Sequence, residues 1–202
     1  MNRSSTFFDY INEIPDSQHA PLEDEQLLVL TAQNDETAFA ELYKRYNQPV
    51  FNYLYRLVNG LHEAEDLLQE VFLIVWKGAA GFRGDARVKT WIFRIAHHRA
   101  VSWLRQRKPV VKLDETNLKD WQNNPERTAA QSLRDRQIQE TISQLSWKHR
   151  AVLELVFVQQ MSYSETAQVL GCPLGTVKSR MSYAMRILEQ RFKQDGVTGE
   201  SI

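Results

Sequence analysis

Polar and basic side chains crowd one side of a segment near the C-terminus. From Pro173 onward, hydroxyl and cationic residues recur at positions that face outward on a helix, while apolar residues face inward. The outward set is Thr176, Lys178, Ser179, Arg180 and Arg186, and the inward set is Val177, Met181, Ala184 and Leu188. Such side chains can bind phosphate oxygens and base edges. The pattern predicts contact with a nucleic-acid duplex, although a helical hairpin with a solvated polar face would also carry it.

The residues before this helix predict how it is positioned. Ser162 and Glu165 have the spacing of a capping box, in which each side chain binds the other residue's backbone amide. Gly171 permits the positive φ of a sharp turn. Pro173 suits the start of the next helix. A short helix, a tight turn and a basic helix together predict a helix-turn-helix.

A second cluster of charge lies in the middle of the chain. Residues 83–108 carry eight basic side chains and one acidic side chain, Asp85. Residues 1–43 carry nine acidic side chains and one basic side chain. The formal net charge of zero therefore conceals one basic and one acidic block. Bases interleaved with the aromatic Phe82 suit single-stranded nucleic acid, and a solvated basic helix is the alternative. Trp91 is expected in the core, beside Ile92 and Ile95, rather than as a stacking platform. His97 and His98 are expected on the exposed sides of this helix.

The helix predicted over residues 62–77 has a third distinctive face. Opposite its apolar stripe it presents Asp66, Gln69, Glu70 and Leu73. A leucine among acidic residues is consistent with a protein-docking surface. A solvated face with one stray leucine is the other reading of the same residues.

The periodicity along the chain is helical throughout, which predicts an all-α protein with two small helical domains joined by a flexible linker. The first domain covers residues 22–108, with helices over 24–33, 36–47, from Pro49 to about 58, over 62–77 and over 89–107. The second covers residues 129–193 and contains the helix-turn-helix. An acidic leader (1–21), a linker (109–128) and a tail (194–202) have weak apolar content and complete the predicted organisation.

Composition excludes several classes of protein. Apolar residues make up 43% and charged residues 25% of the 202 residues, which is typical of a globular protein. No apolar run reaches the ~18 residues of a membrane-spanning helix, and no secretory signal is visible, so a cytoplasmic protein is expected. The single Cys172 excludes an internal disulfide and is expected to pack rather than react. No catalytic, cofactor or metal motif occurs, which predicts a protein that is not an enzyme and that needs no cofactor.

Four short segments resemble a known family. Residues 66–72 (DLLQEVF), 91–96 (WIFRIA) and 104–105 (LR) resemble conserved region two of the bacterial extracytoplasmic-function (ECF) sigma factors, a subfamily of the sigma-70 family. Residues 175–180 (GTVKSR) resemble the start of their region-four recognition helix. The resemblance covers residues 24–108 and 129–192.

The resemblance implies an RNA polymerase specificity subunit, monomeric when free, that directs promoter-specific initiation and helps to melt DNA. It implies a linker threading towards the RNA exit path and a cognate anti-sigma protein that silences the factor. The residues that it implies for docking on core polymerase are Asp66, Gln69, Glu70 and Leu73. Those that it implies for the single-stranded minus-10 element are Phe82, Arg83, Arg87, Lys89, Arg94, His98, Arg105 and Lys108. Those that it implies for the minus-35 duplex are Thr176, Lys178, Ser179, Arg180 and Tyr183.

Two rival functions fit parts of the sequence. A stand-alone helix-turn-helix transcription factor would bind duplex DNA without polymerase and would not need the face around Asp66. A phosphodiester-cleaving enzyme could use the basic face, but it would need a cluster of carboxylates to hold a metal. Asp85 is the only acidic residue within the basic block, which argues against that enzyme.

Overall fold

The computed structural model describes residues 22–106 and 141–194, with side chains up to Arg191. All regular structure in these two ranges is helical. The predicted leader (1–21), the linker (109–128) and residues 195–202 of the predicted tail lie outside the described residues. The all-α prediction is confirmed.

The first two helices are α1, Asp24–Ala32, and α2, Glu36–Val58. The Asp35 carboxylate caps α2 by accepting hydrogen bonds from the backbone amides of Thr37 and Ala38, at 2.9 and 3.0 Å. At its other end, α2 stops at Asn59, whose left-handed backbone (φ 55°) ends the helical path. Local capping chemistry therefore sets both ends of this helix.

The prediction of two helices meeting at Pro49 was wrong, because α2 is continuous and Pro49 lies inside it. An interior proline removes one backbone hydrogen bond and costs about 3 kcal/mol. The helix nevertheless continues because its buried side runs through this point: Tyr46, Val50 and Tyr53 are all buried. The free energy gained by burying several large side chains on both sides of Pro49 exceeds the cost of one lost backbone hydrogen bond.

Helix α3, Leu61–Gly78, packs against α2, and a short 3₁₀ turn, Ala79–Gly81, follows it. Aromatic rings from the two helices meet edge to face, with Phe72 4.7 Å from Tyr43 and 6.2 Å from Phe39 between ring centres. Helix α4, Val88–Gln106, then packs against both α2 and α3 and completes the core of the first group.

The second group contains helical residues 141–144 and three further helices. Helix α5, Trp147–Leu153, runs on into a wider turn, Glu154–Val158; α6 spans Tyr163–Leu170; and α7 spans Leu174–Gln194. The two groups touch: α2 packs against α5, and α4 packs against α6. Among the described residues, no helix is both long and apolar enough to cross a membrane.

Candidate functional site

The capping box and the sharp turn before α7 are both present as predicted. The Ser162 hydroxyl oxygen accepts a hydrogen bond from the Glu165 amide at 3.2 Å, and the Glu165 carboxylate accepts from the Ser162 amide at 2.9 Å. Hydrogen bonds from the Ser162 side chain and backbone hold the pKa of the Glu165 carboxyl below its usual value. Gly171 has φ 59°, the left-handed conformation that suits glycine. The helix-turn-helix is therefore fixed by local chemistry at both of its joints.

Helix α7 presents the predicted polar side to solvent. Val177, Met181 and Ala184 are buried, as expected from their spacing. Lys178 and Ser179 are exposed, whereas Thr176 and Arg180 are half-buried. The structure thus brings four of the five residues predicted to contact duplex DNA onto the first two turns of one helix.

Tyr183, the fifth predicted duplex residue, lies one turn further on and is held by its neighbours. It is 42% exposed, and its ring stacks on His149 from α5 with 4.5 Å between ring centres. The Arg186 guanidinium lies 5.2 Å from the centre of the same ring, within cation–π range. Burial lowers the pKa of His149, with the Arg180 and Lys148 charges adding to the effect, so an uncharged imidazole faces the tyrosine near neutral pH.

The predicted docking face on α3 is only partly open. Asp66 is exposed, but Leu73 is half-buried and packs against the core, so it is less accessible than its position opposite the apolar stripe suggested. Glu70 forms an ion pair with Arg99 of α4, whose Nε donates to the carboxylate at 2.7 Å. Gln69 is half-buried. The face therefore offers the exposed carboxylate of Asp66 to a partner, whereas the carboxylate of Glu70 is already paired with Arg99.

The loop between α3 and α4 borders a cavity of about 260 Å³. The cavity is lined by the chemistry-bearing residues Phe82, Arg83, Asp85, Trp91, Arg94 and Gln168. Trp91 is half-buried, with the Phe82 ring 5.3 Å from its own, so it is partly a core residue and partly a cavity wall. A cavity with an aromatic wall and cationic rim has the composition that a flipped nucleobase and its phosphate need.

Along α4, the predicted basic residues Arg94, His98 and Arg105 are exposed, whereas Lys108 lies outside the described residues. The expected exposure of His97 was wrong, because this side chain is only 5% exposed. Its Nδ1 lies 2.7 Å from the hydroxyl of the fully buried Tyr53. Burial lowers the pKa of His97 to about 4, and the charges of His98 and Arg180 act in the same direction.

Sequence patterns gave no signal for several contacts between the two groups of helices. Gln168 of α6 reaches the cavity at the α3–α4 loop, and the buried Glu154 pairs with Arg56 of α2. Neither residue is among the predicted binding residues, and each is more than 70 positions from its partners in the chain. Only the packing of α5 and α6 on the first group brings them there.

Comparison with known families identifies both groups of helices. The family model of sigma-70 region 2 matches residues 42–110, and that of sigma-70 region 4 matches residues 135–188. The chain is an ECF sigma factor of the sigma-70 family. It therefore directs transcription initiation, and a stand-alone helix-turn-helix factor is not favoured.

Curated relatives match this sigma factor over most of their length. The sigma factor YlaC of Bacillus subtilis is 30% identical over 71% of this chain and 86% of its own. The sigma-H factor of Pseudomonas aeruginosa is 31% identical over 83% of this chain and 93% of its own. Both groups of helices therefore belong to one sigma-factor architecture.

Two solved structures share the fold of this sigma factor. CnrH, in complex with the cytosolic domain of CnrY, has a TM-score of 0.64 and 22% identity, covering 85% of this chain and 98% of its own. The sigma factor RpoE from Bartonella quintana, in complex with the anti-sigma factor NepR, has a TM-score of 0.58 and 21% identity, covering 77% of this chain and 96% of its own.

Proposed function

We propose that this sigma factor binds core RNA polymerase through α3, holds an unpaired minus-10 base at the α3–α4 loop and reads the minus-35 duplex with α7. The observation that carries this proposal is the presence of region 2 and region 4 in that order along one chain. Residues 22–108 would then form the polymerase and minus-10 domain, and residues 129–193 the minus-35 domain. Residues 109–128 would link them along the RNA exit path.

The physical features of each surface support this assignment. Cations and hydroxyls on the first turns of α7 suit base edges and phosphates of a major groove. The aromatic-walled cavity beside Arg83 and Arg94 suits an extruded base, since stacking on one aromatic ring contributes about 1–3 kcal/mol per base. The exposed Asp66 offers a carboxylate to a basic partner surface.

Three further assignments belong to the same proposal. The chain acts as a specificity subunit, and the bond-forming chemistry of transcription belongs to the polymerase. It works in the cytoplasm, where polymerase and promoter DNA are found. The free chain is a monomer. A cognate anti-sigma protein binds it and holds it inactive, which the complex of the structurally similar RpoE with NepR supports.

The experiment that tests the proposal is reconstitution of transcription. Purified chain and core RNA polymerase are combined, captured together and used for run-off transcription from fragmented genomic DNA. Binding with defined start sites is expected, and aligning those sites supplies both promoter elements. A folded, inhibitor-free sample that neither binds core polymerase nor yields transcripts would refute the proposal and favour the stand-alone transcription factor.

Two pairs of variants then test the individual surfaces. Asp66→Ala is expected to weaken capture of core polymerase, whereas Glu65→Ala, an exposed neighbour that pairs with His62, leaves it unchanged.

Arg180→Ala is expected to weaken the free energy of binding to the cognate minus-35 element by about 1–3 kcal/mol if the guanidinium contacts a base. Arg191→Ala, three turns away on the same helix, is its matched control. Equal losses on all DNA sequences would make Arg180 a phosphate contact.

A further inference from the structure

The polar side of α7 includes one aromatic residue beyond the first two turns. Tyr183 lies seven residues after Thr176 and three after Arg180, so the three side chains lie on one side of the helix. The Tyr183 side chain is 42% exposed and is therefore accessible to a bound duplex. A tyrosine offers a hydroxyl that can donate to or accept from a base edge, and a ring that can contact a thymine methyl group.

The Tyr183 ring is held in place by a side chain of α5. The His149 ring stacks on it, with 4.5 Å between ring centres and 24° between the ring planes. The His149 ring is itself oriented by Ser146, whose hydroxyl oxygen lies within hydrogen-bond distance of Nδ1, at 2.8 Å. A residue of α5 therefore fixes the orientation of a side chain on the polar side of α7.

The second neighbour of the Tyr183 ring is a cation. The Arg186 guanidinium lies 5.2 Å from the ring centre. Burial lowers the pKa of His149, so the imidazole is uncharged near neutral pH and does not repel this guanidinium. The stack therefore presents an aromatic ring and a cation side by side on α7.

A cavity beside the stack leaves space into which the Tyr183 ring could turn. The cavity has a volume of about 300 Å³, and both stacked rings form part of its wall, together with Leu145 and Ile187. Without the imidazole, the Tyr183 ring would be free to rotate, and a duplex would have to order it again on binding. Ordering one such side chain at an interface lowers affinity by about two- to tenfold.

We propose that His149 is a positioning residue for minus-35 recognition: its imidazole holds Tyr183 in the orientation that reads one base pair of the duplex. This inference rests on the proposed function, since it takes α7 as the reader of the minus-35 element. His149 acts through Tyr183 and makes no base contact of its own. Removing it should therefore weaken discrimination only at the base pair that Tyr183 reads.

The inference is tested with holoenzyme assembled from core RNA polymerase and the full chain. A promoter mapped by run-off transcription supplies the cognate minus-35 duplex, and a panel of promoters replaces each of its base pairs in turn. The readout is the ratio of the apparent Kd for each altered promoter to that for the cognate one, measured by competition against a fluorescent promoter. Tyr183→Ala is expected to lower this ratio at one base pair, which identifies the pair that Tyr183 reads.

Variants of His149 then separate positioning from a general structural role. His149→Ala is expected to lower the ratio at the same base pair by about two- to tenfold and to leave the other ratios unchanged. His149→Gln, which keeps a polar group near Ser146 but has no ring, should show the same loss. His149→Phe, which keeps a ring against Tyr183, should restore the ratio to within about twofold. In a Tyr183→Ala background, His149→Ala should have no further effect, because both changes act through one contact.

Lys148→Ala is the matched control on the same helix. Lys148 is exposed, and its ammonium lies 5.6 Å from the centre of the Trp147 ring. Its removal takes away a positive charge next to His149 but leaves the stack on Tyr183 intact. Every ratio in the promoter panel should therefore stay at the wild-type value.

The outcomes distinguish the positioning role from the proposed function. Unchanged ratios in both folded variants without a ring, His149→Ala and His149→Gln, would overturn the positioning role. An equal loss in His149→Phe, or in Lys148→Ala, would overturn it as well, because neither change removes a ring from Tyr183. A wild-type holoenzyme that transcribes but shows no preference at any minus-35 base pair would overturn the assignment of α7 as the reader, and the role of His149 with it. Failure of the wild type to bind core polymerase and to transcribe would overturn the proposed function as a whole.

Discussion

Acidification is expected to destabilise this sigma factor through His97. The ring is buried between α4, α2 and α5, beside Tyr53 and with the Trp147 ring 6.1 Å away. Burial raises the pKa of Tyr53, so its hydroxyl stays protonated and can donate to an unprotonated Nδ1 of His97. Protonating the imidazole would place a positive charge at this buried position. Among the described residues no carboxylate is bonded to the ring, and the nearby Arg180 charge repels a charged imidazole.

The size of the effect follows from the lowered pKa. The pKa of His97 falls from 6.5 in the unfolded chain to about 4 in the folded one. Since the folded pKa is the lower one, the unfolded state binds more protons between these values. Stability is therefore full above about pH 6.5 and is lost as the pH falls towards 4. The loss is about 1.4 kcal/mol at pH 5.5 and approaches about 3.4 kcal/mol below pH 4, at 1.36 kcal/mol per pKa unit.

The assay is urea unfolding followed by circular dichroism at pH 7.5 and pH 5.5. The free energy of unfolding is compared between the wild type and His97→Asn, which keeps a hydrogen-bonding group beside Tyr53 but does not titrate. The pH-dependent loss in the wild type is expected to exceed that in the variant by about 1.4 kcal/mol. Other groups, such as Glu154, whose pKa burial raises, cancel in this difference. His62→Asn, at an exposed position on α3, should behave like the wild type. Equal pH dependence in the wild type and His97→Asn would refute the reasoning.

Two further predictions concern the joints of the helix-turn-helix. Ser162→Ala removes an N-cap and is expected to lower the free energy of unfolding by about 1 kcal/mol in thermal denaturation, whereas Ser164→Ala, which lies exposed in the first turn of α6, should cost much less. Gly171→Ala places a Cβ on a left-handed residue and is expected to cost about 1–2 kcal/mol. Gly175→Ala is its control, since a Cβ there meets nothing within 4 Å; an equal loss in both glycine variants would contradict the account of the turn.

Local chemistry explains why much of the fold could be predicted from the sequence alone. The capping box at Ser162, the turn at Gly171 and the inward spacing of Val177 and Met181 each depend on residues within one or two turns of a helix. Short-range hydrogen bonds and helical periodicity therefore predicted the helix-turn-helix, and recognisable segments predicted the family. The same short range explains the failure at Pro49, where the local cost of proline was outweighed by burial against distant helices.

The tertiary structure decided which of the predicted side chains are available. His97 and His98 are adjacent and chemically identical, yet α2 and α5 bury the first and leave the second exposed. Glu70 is neutralised by Arg99, 29 positions away, and Lys89 is bound by a carbonyl 70 positions away. Such pairings depend on how whole helices pack. The sequence by itself determined most of the helices, the helix-turn-helix and the family, because those depend on neighbouring residues. The packing of α5 and α6 on the first group decided the burial of His97, the position of Gln168 at the cavity and the buried Arg56–Glu154 pair.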